Sequence, residues 1–279
     1  MPIGCHDRQR NTIESGASQR GKAAVTHTNP VYDRRAEVER LLAADNTVLG
    51  RLWKYDQEGL SPQEMTDIEG VATTGWVSNY RTLVRALRDG EIPKSPTTAQ
   101  AAARRLRSWL RKPDLSPGLR RDLEEQESLL TSRAEDRQAQ DDEVELAVEA
   151  TIAAEATHGP GIYVYTLPHY LRYPYDPTTG RTLLKVGHSA VDAHYRAASQ
   201  GRLTALPEDP ILLRIYPVDE SAKAEREFHT WLRDADHAAG RTQRGGSEWF
   251  VTSTKFLDRI ARSMGLEVVV VTDVGAVDD

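Results

Sequence analysis

The residues of this chain whose types and spacing could do chemistry gather in roughly its last two fifths. Tyr163 and Tyr165 alternate with Ile162 and Val164 in one β-branched, aromatic run, and Lys185 stands in a second run, Thr182 to Val186, that closes on Gly187. Arg196 follows on a helix expected over Val191 to Gln200. Glu225 and His229 lie four apart, on one face of a helix expected from Ser221 to about His237, and Glu248 opens Glu248-Trp249-Phe250-Val251. Hydrolysis of a phosphodiester draws on such groups: it needs a water, a base, a cation against the growing phosphoryl charge and usually a metal. Each residue also has a plainer role open to it. Tyr163 and Tyr165 can simply pack, Glu225 can pair with Lys223 or Arg226, His229 can be a satisfied helix histidine, and Glu248 can cap a turn that Trp249 and Phe250 anchor.

The elements that must position these groups start with a hairpin. Asp176-Pro177-Thr178-Thr179-Gly180 supplies a fixed-φ turn residue and then a glycine, so the second run folds back on the first. The connection is longer than a turn needs. Its insert, Pro168 to Pro177, carries Tyr170, Arg172, Tyr173 and Tyr175, a set suited to stacking on unpaired bases or following a groove, or else to folding back onto the domain. A third strand is expected over Ile211 to Val218, a helix over Thr254 to Met264 and an apolar strand over Leu266 to Thr272. The order β-β-α-β-α-α-β makes a small α+β layer.

Gly161-Ile162-Tyr163, then Lys185-Val186-Gly187, Arg196, Ala224-Glu225 with His229, and Gly246-Ser247-Glu248-Trp249-Phe250 form an ordered set that resembles the GIY-YIG endonuclease superfamily. The likeness is to a bacteriophage-type branch, often described as a DNA-binding domain, whose second motif begins with Lys in place of Tyr. By motif position the resemblance implies that Tyr163 is a general base or water-orienting phenol and that Lys185 occupies the second tyrosine's place. It implies that Arg196 clamps the scissile phosphate with its planar fork and that Glu225 holds a single divalent ion, Mg or Mn. His229 would aid proton transfer or hold a phosphate, and Glu248 would be a second carboxylate for the metal. Lys185 is the main departure: it can bind phosphate and favour a phenolate at Tyr163, or mark a domain that only binds.

The first half reads as helical. Val38, Leu41, Leu42, Val48, Leu49, Leu52 and Trp53 keep a helical grid with a break near Asp45-Asn46, and Gly59 stops it. Ser61, Pro62 and Glu64 make a capping box with a proline start, so a short helix runs to about Ile68, turns at Gly70 and gives way to a second near Thr73 or Thr74. Segment 60–90 thus reads as helix-turn-helix-like, with Asn79, Arg81, Arg85 and Arg88 outward, able to meet base edges and phosphates, or else as an ordinary helical bundle with a cationic face. Helices from Thr97 to about Lys112 and from Ser116 to about Leu130 follow, with Arg104, Arg105, Arg107 and Arg111 free to contact phosphate or to pair with Glu124, Glu125 and Glu127.

The chain of 279 residues is long enough for two domains, and 39% hydrophobic with 28% charged residues is ordinary for a globular protein. No apolar run approaches a membrane span of about eighteen residues, and the N-terminus lacks signal architecture. Cys5 is the only cysteine, which excludes an internal disulfide and a Cys-based zinc site and points to a reducing cytoplasm. The net charge of -6 argues against indiscriminate nucleic-acid coating, but residues 132–155, with eight acids and two bases, carry all of that excess.

The expected organisation is a disordered tail over 1–33, a helical domain over 34–131, an acidic helical linker over 132–158 ended by Gly159-Pro160, a GIY-YIG-like nuclease domain over 159–274, and a short tail. The expected activity is metal-dependent cleavage of DNA targeted by the helical module. The alternatives are a non-catalytic DNA-binding or regulatory protein that keeps the fold, and a helical interaction protein. No membrane partner is expected, and a homodimer is required only if the target is palindromic.

Overall fold

A computed structural model describes residues 32–70, 74–157, 159–176, 181–189, 208–237 and 248–273. The expected N-terminal tail lies outside them but for its last two residues, and the helix expected over Val191 to Gln200 lies wholly outside.

Seven helices come first: α1 (Arg34–Ala43), α2 (Val48–Glu58), α3 (Pro62–Glu69), α4 (Gly75–Asp89), α5 (Pro96–Leu110), α6 (Pro117–Ala134) and α7 (Arg137–Thr157). Local chemistry sets their starts. Ser61 accepts from the Glu64 amide while the Glu64 carboxylate accepts from the Ser61 amide, with Pro62 in the first turn. Ser95 and Ser116 cap α5 and α6 by accepting from Thr98 and Leu119, each again followed by proline. Helices α1 to α6 close around Leu42, Leu49, Met65, Tyr80, Leu106 and Trp109, all buried.

The remaining elements are β1 (Gly161–Thr166), α8 (Pro168–Arg172), β2 (Thr182–Ser189), β3 (Ile211–Pro217), α9 (Ser221–Asp234), β4 (Trp249–Thr252), α10 (Thr254–Ser263) and β5 (Val269–Val270). The five strands form one antiparallel sheet of order β4-β2-β1-β3-β5. An all-helical region followed by this sheet and its helices makes the fold α+β, as the sequence led one to expect.

Three details differ from the reading above. Trp249–Thr252 is a strand on the edge of β2, the expected strand over 266–272 pairs only at Val269–Val270, and the hairpin insert begins with the short helix α8. Alternation divides the sheet's side chains between two faces. Ile162, Val164, Leu184 and Val186 pack with Phe228 and Leu232 of α9 and Leu257 of α10, while Tyr163, Leu212 and Ile215 face the other way, with Tyr165 and Ala154 of α7 against them.

Helix α7, expected as a spacer, is packed on the sheet. Between Val164 and Tyr165 the β1–β3 register slips by a residue, a bulge on β3. There the Leu212 amide donates to Thr151 Oγ1 at 2.9 Å, and Tyr165 Oη donates to Glu155 Oε1 at 2.9 Å. A cavity of about 400 Å³ separates helices from sheet, lined by Asn79, Gln100, Glu143, Arg172 and Asp273 among others.

Candidate active site

Two glycines on neighbouring strands fix the frame. A Cβ on Gly161 would stand 2.8 Å from the Tyr216 carbonyl oxygen, so the first residue of β1 must be glycine for β3 to lie this close. Gly187, on β2, pairs in register with Tyr163, and Lys185 pairs with both Tyr165 and Trp249. Directly opposed residues share a face, so Lys185, Gly187 and Trp249 lie on the face that carries Tyr163.

Two carboxylates close on Gly187. The position its missing Cβ would take is 3.8 Å from Glu248 Oε2 and 3.9 Å from Glu225 Oε1, so the glycine leaves a gap between oxygens from separate elements. Glu225 is delivered by α9, whose Ala224, Phe228 and Leu232 are buried on the sheet. Glu248 is held by the ladder, since the Val186 amide donates to its carbonyl at 2.9 Å just before β4 begins. Both carboxylates have a cationic or titratable neighbour: Lys185 Nζ lies 3.3 Å from Glu248 Oε2, and His188 Nε2 lies 3.5 Å from Glu225 Oε2. His188 Nδ1 in turn is 3.4 Å from Ser221 Oγ. Among the described residues no group of three or more His, Cys, Asp or Glu could hold a metal. The arrangement is two carboxylates with room between them, which suits a cation that keeps much of its water.

The other expected site residues are placed as follows. Tyr163 is 3% exposed and its hydroxyl donates to the Gly159 carbonyl. Tyr165 is raised well above the usual phenol range by burial first and by Glu155 beside it second. His229 is buried; its Nε2 lies 2.9 Å from the Val186 carbonyl, so that nitrogen carries the proton, and its ring rests on Phe250 with centroids 4.9 Å apart. This makes His229 a pin between α9 and β2. Arg196 lies outside the described residues.

In the helical region, Asn79 donates to Asp273 Oδ2 at 3.0 Å, Arg81 pairs with Asp56 at 2.6 Å, and Arg85 lies 3.4 Å from Glu91. These groups, expected to point outward at DNA, are thus met by the protein's own acids, with Arg85 still half exposed. Arg107 likewise pairs with Glu127 at 2.6 Å, and Arg105 with Asp45 at 3.1 Å. Of the hairpin insert, Arg172 lines the cavity between helices and sheet, while Tyr173 is exposed. His188 and Ser221 were not among the expected site residues, although His188 directly follows the Lys185-Val186-Gly187 motif.

Fold and site together define an α+β domain in which an antiparallel sheet and one long helix bring two carboxylates to a glycine gap beside a lysine. Residues 161–265 match the model of the T5orf172 domain, so the match begins with β1 and ends just beyond α10. No curated protein and no solved structure matches the chain. No described helix is long and apolar enough to cross a membrane.

Proposed function

We propose that the protein is a metal-dependent endonuclease of the GIY-YIG kind, hydrolysing DNA phosphodiester bonds. The observation that carries this reading is the approach of Glu225 and Glu248 to the gap at Gly187, next to Lys185. The T5orf172 match over the same residues supports it. Glu225 and Glu248 would hold one Mg or Mn ion, whose oxygen preference their carboxylates fit. When bound, such an ion polarises the phosphoryl oxygen and stabilises the departing one.

The chain's own residues supply the rest. Lys185 keeps an ammonium beside the gap, where phosphoryl charge would build, and Arg196 takes the phosphate clamp by motif position. The Tyr163 hydroxyl, donating to the Gly159 carbonyl, can orient a water by accepting from it. In this reading the helical region delivers the site to DNA, with Arg85, half exposed on α4, as a phosphate contact.

A second reading, a DNA-binding or regulatory protein without turnover, is favoured by a different observation: the Tyr163 and Tyr165 hydroxyls both donate to the protein itself. Supercoiled plasmid incubated with Mg, with Mn or with EDTA separates the two. Wild type should nick only with metal, and Arg196→Ala and Glu225→Gln should nick on the order of 10²-fold more slowly. Intact plasmid after incubation of the wild type with either metal overturns the endonuclease reading in favour of the second.

A further inference from the structure

A row of aromatic rings leads away from the carboxylate gap. Trp249 is the β4 partner of Lys185 and shares its face. The Tyr170 ring meets Trp249 at 6.3 Å between centroids, His169 meets Tyr170 at 5.5 Å, and Tyr173 meets His169 at 5.2 Å. The interplanar angles along the row are 62°, 74° and 48°, so no ring is covered in parallel by its neighbour. At the outer end Tyr173 is 58% exposed, and Tyr175, two residues further along the chain, is 66% exposed, a large apolar area for a short insert to leave in water.

Packing explains the inner half of this row. Tyr170 is held, since Thr182 Oγ1 donates to its carbonyl at 2.6 Å and its ring lies on Trp249. It does not explain the outer half. What open ring faces recognise is another flat π-system, and nucleic-acid bases offer their faces only when unstacked. In a duplex those faces are covered by the adjoining base pairs, and a protein meets edges and phosphates. Duplex binding by phosphate contact calls for many cations. The insert provides a single Lys or Arg, Arg172.

We infer that the ridge from Trp249 through Tyr170 and His169 to Tyr173 and Tyr175 binds an unpaired DNA strand by stacking, and that the substrate is single-stranded next to the phosphate at the Gly187 gap. The inference rests on the endonuclease reading for what happens at the gap, but the strand preference can be measured without turnover. Lys185 joins the two surfaces: it lies between Trp249 and Gly187 on the same face, placed to meet the backbone of a strand whose bases lie on the ridge.

The test is fluorescence anisotropy on the full chain in EDTA, with a labelled oligodeoxythymidylate of about 20 nucleotides and a blunt duplex of equal length. Wild type should bind the single strand more tightly. The double variant Tyr173→Ala, Tyr175→Ala should weaken single-strand binding at least about fivefold, the lower bound for losing one stacked base, and leave duplex binding unchanged. The double variant Tyr173→Phe, Tyr175→Phe, which keeps both rings, should bind as wild type does. Tighter binding of the duplex by wild type, equal losses on both probes, or no loss on the single strand overturns the inference. Plasmid nicking remains a separate measurement, so a binding protein that prefers single strands and never cuts would retain the ridge and remove the endonuclease.

Discussion

Gly187→Ala places one methyl group where the structure leaves room for it and the proposed chemistry does not. Its Cβ would lie 3.8 and 3.9 Å from the Glu248 and Glu225 oxygens, which is ordinary van der Waals contact, so neither carboxylate need move. Alanine also loses less freedom than glycine on entering a strand, which favours the variant by roughly 0.5–1 kcal/mol. A divalent ion sits about 2.1 Å from a carboxylate oxygen. An ion held by both carboxylates would have to share the gap with the new carbon, 3.8 and 3.9 Å from their oxygens, so methyl and ion would compete for one space. The expected outcome is unchanged or slightly higher stability in urea, with nicking down on the order of 10²-fold, the scale of a reacting group misplaced by about 1 Å. Gly161→Ala is the control. Its Cβ would meet the Tyr216 carbonyl oxygen at 2.8 Å, and such overpacking should cost about 1–3 kcal/mol. Nicking by Gly187→Ala within twofold of wild type, or a loss of stability matching that of Gly161→Ala, would refute the reasoning.

Other outcomes follow from the packing. His229→Ala strips the Val186 carbonyl of its partner and Phe250 of its ring contact; urea unfolding should show a loss of about 1–3 kcal/mol, and any residual nicking should keep its metal requirement. Asp258→Ala takes from buried Arg214 the carboxylate 3.3 Å away, leaving it Asp273 at 3.6 Å, and removes the acceptor of Tyr216 Oη at 2.8 Å, a change that should cost about 1–3 kcal/mol in the same assay. Asp89 is held down at about 2 by its hydrogen bonds from Arg88 first and then Arg35. A depressed carboxyl contributes stability that is present above its unfolded value of 3.8 and is lost as pH falls from there through about 2. Acid unfolding of Asp89→Asn should therefore lack that part of the pH dependence; a profile parallel to wild type across this window would count against the pairing.

What could be read from the sequence was what neighbours in the chain decide. The break at Asp45-Asn46 and the capping of α3 by Ser61, Pro62 and Glu64 involve residues within a turn of one another, and both are in the structure. The four residues of β4 were harder, because an edge strand this short exists only through its pairing with β2, far away along the chain. The same holds for the site. Glu225 and Glu248 were marked by their motif positions in the resemblance, but their approach to Gly187 depends on the docking of α9 and the register of β4, neither of which spacing encodes. Acidic composition hid the role of α7, since Thr151 and Ala154, which meet the sheet, are outnumbered by the exposed acids Asp141, Asp142, Glu145 and Glu149. The polar face of α4 looked free because its partners Asp56 and Asp273 come from other parts of the chain.

The Thr151 bond to the bulged strand sets how small a working piece of this protein can be. A polypeptide cut to the family match, starting at Gly161, would strip the bulge of the hydroxyl that takes the Leu212 amide, bare the sheet beside Tyr163, and leave Tyr165 without Glu155. A piece that keeps these contacts therefore includes the helix from Arg137. Anyone transplanting this domain onto another protein should carry that helix along as its own first element.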